Sequence, residues 1–275
     1  VLAMVLGLTA EQVADDLHNE RETTLREMKQ YFREHAVSVS DERIQVQTKQ
    51  ELPPLCLLSL ETPRCWHWSL YHDGTFYLIN CNFGDKGNFI VTAENPAGPW
   101  SEPHWLEDVP GIDASIFFDE DGQCYIMGTA QNWPDGKGGM RQGIWAAKYD
   151  IENFRMAGEP HTLWGGAMAD VASPEAPHIY HIGKYYYLLI AEGGTEQYHS
   201  ATVARSESVF GPYESCKANP VLTMRHLGQR AAIQNAGHAD LIDLPDGSWW
   251  AVFLASRLIG SVSKNLGRET FICPV

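Results

Sequence analysis

Cysteine pairs at metal-ligand spacing are missing from this 275-residue chain. Its six cysteines (Cys56, Cys65, Cys81, Cys124, Cys216 and Cys273) include no Cys-x-x-Cys pair, which argues against a zinc ribbon or a dithiol redox motif. Cys81 and Cys124 fall in strand-like runs, where a buried free thiol is expected; a disulfide set stays open. Positive charge is also scarce. Lys and Arg number 20 against 35 Asp and Glu, a net charge of −15, with no basic stripe to offset it. That balance excludes nucleic acid and an anionic membrane as partners, whereas a neutral ligand is indifferent to it. No apolar run reaches transmembrane length. Val1 to Ala10 is apolar but carries no basic n-region and no cleavage site. A cytoplasmic location is therefore expected, with secretion as the alternative. The chain opens on Val rather than Met, so a natural start further upstream is a further expectation.

What is present divides into two regions. From Thr9 to about Ala36 the pattern predicts an amphipathic helix. Thr9 and Gln12 make a capping-box pair, and Val13, Leu17, Leu25, Met28 and Phe32 recur at helical spacing. A short strand is predicted over 44–48, and Pro53-Pro54 breaks the chain before Leu55 to Leu60. Residues 1–65 thus form an atypical N-terminal segment, and 66–275 a second region of different texture.

That second region consists of short apolar or aromatic runs broken by Gly, Asp, Asn and Pro, the pattern of a many-stranded β fold. Aromatic residues, 11% of the chain, suit its pleated surfaces. A strand–turn–strand unit recurs at Trp68 to Ile79, Ile116 to Ile126, His178 to Leu188 and Ala239 to Ala251. Its turn glycines are Gly74, Gly122, Gly183 and Gly247, so the intervals by subtraction are 48, 61 and 64 residues. A second echo pairs Val91 to Trp100 with Val203 to Tyr213, each closed by Gly-Pro-aromatic and each read as the outer hairpin of a blade. A β-sandwich turns every 8–12 residues without such a longer period, whereas propeller blades repeat at roughly 40–50 residues before loops are added. Four propeller blades are visible.

Five stretches then carry a resemblance. They are Gly111-Ile-Asp-Ala-Ser-Ile-Phe-Phe-Asp-Glu-Asp-Gly122, Pro174-Glu-Ala-Pro-His-Ile-Tyr180, Ile190-Ala-Glu-Gly-Gly-Thr195, Gly237-His-Ala-Asp240 and Leu266-Gly-Arg-Glu-Thr270. In this order, about one to a blade, they resemble family 43 glycoside hydrolases of the β-xylosidase and α-L-arabinofuranosidase branch. The resemblance implies an all-β, five-bladed β-propeller, with the first blade incomplete or replaced. It implies an inverting glycosidase acting on xylose- or arabinose-containing oligosaccharides. Such an enzyme uses a protonated acid at the leaving oxygen and a carboxylate that activates water on the opposite face.

Residue by residue, Glu175 matches the family's general acid, and Asp113 the acidic residue that orients it and raises its pKa. Arg268 matches a sugar-binding arginine, with a surface ion pair to Glu269 as its structural alternative, and Arg257 is a second candidate for the same wall. His238 matches a histidine that in relatives lies by a water-coordinated calcium, so a structural Ca2+ is implied while the chemistry needs no cofactor. Asp119 and Asp121 read as hairpin residues. The Glu192-Gly-Gly-Thr195 run lacks the Lys and following helix of a phosphate loop and reads as a tight loop near the site.

The family's first-blade Pro-Asp-Pro-Ser-type segment, whose Asp is the general base, has no match here. No carboxylate from the first 65 residues is expected across from Glu175. The chain also stops at Val275, before the β-sandwich that usually follows in this branch. The expectation is a propeller core with both ends altered, and the alternative to a working hydrolase is a sugar-binding propeller without a base.

Overall fold

Alternation of buried and exposed side chains sets the architecture. A strand with one buried face must find a sheet neighbour and a facing layer, and here hairpin-linked strands stack into blades. The computed structural model describes residues 39–40, 43–44, 68–82, 86–134, 140–167, 173–228, 230–244, 246–258 and 267–275. The chain divides into two units, Val1–Leu60 and Glu61–Val275. In the first, β1 (Val39–Ser40) pairs antiparallel with β2 (Arg43–Ile44). The predicted 44–48 strand therefore touches the observed one only at Ile44. The predicted helix over 9–36 lies outside the described residues.

The second unit contains four antiparallel sheets in chain order. Blade A is β3 (Trp68–His72), β4 (Thr75–Asn82), β5 (Gly87–Ala93) and β6 (His104–Trp105). Blade B is β7 (Ile112–Phe118), β8 (Cys124–Pro134), β9 (Met140–Asp150) and β10 (Arg155–Met156), with β11 (His161–Trp164) also on β9. Blade C is β12 (Glu175–Ile182), β13 (Tyr185–Glu192), β14 (Ser200–Ser206) and β15 (Glu214–Ser215), with β16 (Leu222–Thr223) also on β14. Blade D is β17 (Ile233–Asp243), β18 (Trp249–Arg257) and β19 (Glu269–Pro274). The arrangement is that of a β-propeller, with the four blades visible in the sequence; the fifth blade that the resemblance implies is not among the described residues.

The four turn glycines join the first two strands of each blade, and all have positive φ, from +64° at Gly183 to +84° at Gly74 and Gly247. At Asp73-Gly74 both residues lie in the left-handed region, as a tight two-residue hairpin requires.

Each seam between blades has its own apolar core. Ile79 and Ile90 of blade A pack with Ile126, Trp145 and Tyr149 of blade B. Met127 and Ile144 of blade B meet Ile179, Leu188 and Ile190 of blade C. Leu189 and Ala201 of blade C meet Ala236, Phe253 and Ala255 of blade D. Burying one such large aliphatic or aromatic side chain contributes about 1.5–3 kcal/mol, so the seams hold neighbouring blades in register. Cys124 is a buried free thiol in the first of these cores, while Cys81 is half-buried.

Candidate active site

Three inner strands share a local irregularity. In β7 the pairing register slips between Ile112 and Ser115, in β12 between Glu175 and His178, and in β17 on both sides of Gly237. Positive-φ residues sit within these slips: Asp113 at +53°, Ala176 at +49° and His238 at +52°. A β-bulge bends a strand and re-aims a side chain. Non-glycine residues held at positive φ cost energy and gather at functional sites. The bulges fall at or beside Asp113, Glu175 and His238, three of the residues singled out by their motifs.

Glu175 is the first residue of β12. The flanking prolines cannot donate backbone hydrogen bonds, but their carbonyls are held from blade B. Thr129 Oγ1 donates to the Pro174 carbonyl at 2.9 Å, and Ser115 Oγ donates to the Pro177 carbonyl. The acid is thereby fixed to two blades. Its carboxylate accepts from Gln142 Nε2 at 3.3 Å and from the Ser173 hydroxyl. Burial raises its pKa; those two hydrogen bonds and the positive charge of Arg268 oppose the rise.

Asp113 lies beside it. Burial first, and then the charge of Glu175, push the Asp113 carboxyl up to about 7; Arg268 and the Ala176 N–H act against the shift. Two carboxyls this closely linked titrate as a pair, and one proton stays with the pair to near-neutral pH. The resemblance implies that the charge of Asp113 raises Glu175; here burial raises Glu175, and it is Asp113 that the charge of its partner pushes up.

Arg268, half-buried, interacts electrostatically with Asp113, Glu175 and Glu196. The alternative ion pair with Glu269 is taken by the other arginine: Arg257 Nε stands 3.3 Å from Glu269 Oε2, with its guanidinium 5.4 Å from the Phe271 ring centroid. These contacts account for Arg257 on the sheet of blade D, and the carboxyl pair is faced by Arg268 instead.

His238 is almost fully buried, and burial, followed by the neighbouring His178, His199 and Arg268, holds its pKa well below the ordinary value. It is therefore neutral. Calcium takes six to eight oxygen ligands, whereas these neighbours are imidazoles and a guanidinium. They do not fit a directly coordinated calcium. Among the described residues no group of three or more His, Cys, Asp or Glu is placed to hold a metal.

Several site residues carried no signal in the sequence. Gln142 reaches Glu175 from a strand 33 residues away. Asn235, at φ +58°, donates to Glu196 Oε2 at 3.4 Å and lends its carbonyl to His199 Nδ1 at 2.7 Å. The His199 ring lies so close over Gly237 that a Cβ there would have no room, which explains the glycine of the Gly237-His-Ala-Asp240 motif. The expectation about carboxylates of the first 65 residues falls outside the described residues.

Comparison with known proteins supplies a family. The model of "Glycosyl hydrolases family 43" matches residues 64–275. A xylosidase/arabinosidase of Butyrivibrio fibrisolvens is 49% identical over 209 residues, spanning 74% of this chain and 40% of the relative. A non-reducing end α-L-arabinofuranosidase of Bacteroides ovatus is 44% identical over 208 residues, spanning 74% of this chain and 37% of the relative. Among solved structures, a xylan β-1,4-xylosidase from Bacillus halodurans C-125 superposes with a TM-score of 0.66 at 37% identity, covering 76% of this chain and 41% of that one. The chain thus spans about two fifths of the length of the curated relatives it matches.

Proposed function

The chain belongs to family 43 of the glycosyl hydrolases, and from that premise we propose that it cleaves terminal xylose or arabinose from oligosaccharides with inversion, using Glu175 as general acid. The observation that carries the proposal is the half-buried Asp113–Glu175 pair in the field of Arg268, with both carboxyls raised. A carboxyl that keeps its proton near neutral pH can give it to a leaving oxygen. Asp113 orients Glu175 and shares its proton. Arg268, which cannot lose its charge at physiological pH, donates to sugar hydroxyls. The chemistry needs no cofactor, and the general base is assigned to none of the described residues. The printed names of the relatives, xylosidase/arabinosidase and arabinofuranosidase, support hydrolysis ahead of a role in binding alone.

The test is hydrolysis of 4-nitrophenyl β-xyloside and α-L-arabinofuranoside, with the anomeric configuration of the released sugar read by NMR. Glu175→Gln should lower kcat/KM by roughly 10²–10⁴-fold, the usual contribution of a positioned acid. With the acid required in its protonated form, kcat/KM should fall as pH rises through about 7, the value to which Asp113 is pushed. Unchanged turnover in Glu175→Gln would remove the assignment.

A further inference from the structure

Glu192 is a second buried carboxylate that the mechanism above does not use. It ends β13, is 1% exposed, and follows Ala191, the register partner of Glu175. A carboxylate in such a place is costly unless hydrogen bonds replace its water. Several of its bonds go to one set of neighbours. Oε2 accepts the Ala167 N–H at 3.0 Å and the Thr202 hydroxyl at 2.5 Å. Its own carbonyl accepts from Ser200 Oγ at 3.2 Å, and Oε1 lies against Gly166 with no room for a Cβ. Gly166 holds φ +97°, a conformation that leaves its backbone open to this approach.

Gly166 and Ala167 follow β11, and Ser173 and Pro174 lead into Glu175 at the start of β12. Glu192 holds Gly166 and Ala167, and Thr129 holds Pro174. Glu192 is also joined to Glu175 through the β12–β13 ladder, where its chain neighbour Ala191 pairs with Glu175, so a shift of Glu192 is felt there. Hydrogen bonds to an ionised acceptor are the stronger kind, so a charged Glu192 is a firmer anchor than a neutral side chain of the same shape.

We propose that Glu192 is a positioning residue: its buried carboxylate clamps Gly166 and Ala167 and so fixes the end of β13 that pairs with Glu175 and presents it to the glycosidic oxygen. The inference rests on Glu175 being the acid, and its test separates the two claims. Glu192→Gln keeps the volume and removes the charge. Exchange of the Ala167 amide should speed up by about tenfold or more as the local opening becomes easier. The ionisation midpoint of Glu175, followed by carboxyl-carbon NMR, should fall by about half a unit or more as the acid becomes better solvated.

In turnover, kcat/KM for xylobiose should fall about tenfold more than for 2,4-dinitrophenyl xyloside, whose leaving group needs little protonation. Equal losses on both substrates with an unmoved Glu175 midpoint would mean a structural role only and would overturn the proposal. Glu175→Gln is the control and should leave Ala167 protected. If the unmodified protein hydrolyses neither substrate, the functional reading fails, while the exchange and ionisation results still decide the clamp. Should Glu192→Gln not fold, Thr202→Val removes one donor of the same clamp and should move all three readouts in the same direction by less.

Discussion

Strands β7 and β12 carry an acidic cluster at each end, and the two clusters are built in opposite ways. At the hairpin end, Asp119 follows β7 directly and is met by the tip of the β12–β13 hairpin. Its carboxylate is bonded by Tyr186 OH at 2.7 Å, His181 Nδ1 at 2.8 Å and the Glu120 N–H at 2.9 Å. Burial alone would raise its pKa; these bonds win and hold it below the ordinary value. At the bulged end, Asp113 has lost part of its water and faces another carboxyl, and it is pushed up to about 7. The same residue type on the same strand is satisfied at one end and left uncomfortable at the other. A satisfied carboxylate ties two blades together, whereas a deprived one keeps its proton to higher pH.

The sharpest way to break this contrast is Asp113→Asn. It should cost about 10²-fold or more in kcat/KM by removing the partner that orients Glu175, measured on the aryl xyloside. Stability should move the other way. A carboxyl whose folded pKa lies above its unfolded one binds more protons in the native state, so its ionisation costs stability as pH rises from about 4 to 7. That cost reaches on the order of 4 kcal/mol at most. Thermal melts at pH 8 should therefore show Asp113→Asn as stable as the unmodified protein or more so, and the difference should vanish near pH 4. A variant both inactive and destabilised at pH 8 would mean that Asp113 is structural.

Asp119→Asn should show the reverse. Losing a charge-assisted, mostly buried acceptor costs about 1–3 kcal/mol, while activity per folded molecule should change less than twofold. The pH dependence also reverses. A lowered carboxylate contributes stability that is complete above its unfolded pKa and lost as pH falls through the folded one. Urea melts at pH 7 and pH 3 should thus differ for the unmodified protein and converge on the variant at pH 3. A large loss of turnover without unfolding would refute the division between the two ends.

How legible each end was in the sequence follows from the same contrast. The hairpin end is local: Asp73-Gly74 and Asp119 to Gly122 encode their turns within a few residues, so the repeat of Gly74, Gly122, Gly183 and Gly247 revealed four blades. The bulged end is not local. Asp113 and Ala176 adopt positive φ with no glycine to announce it, and contacts from the neighbouring blade, such as Thr129 to Pro174, hold the distortion in place. Glu175 and Asp113 were found through family motifs; Gln142 and His199 lacked any such flag. Arg257 and Glu269 show the limit of adjacency: Arg268 stands next to Glu269 in sequence, but neighbours along a strand point to opposite faces, and the ion pair forms across the β18–β19 ladder instead.

The smallest expected effect isolates one bond of the hairpin cluster. Tyr186→Phe removes the hydroxyl that donates to Asp119 Oδ2 but keeps the ring stacked 4.1 Å from His181. Asp119 retains His181 and the Glu120 N–H, so it is weakened rather than orphaned. The cost should be about 1 kcal/mol, the net worth of one such hydrogen bond, rather than the larger penalty of a buried acceptor left bare. In a double-mutant cycle, Tyr186→Phe should cost almost nothing once Asp119→Asn is present, because the coupling runs through a single carboxylate. If the two losses simply added, Tyr186 would be acting through the packing of Phe117 and the seam core. The tie between blades B and C would then be apolar rather than ionic at this end.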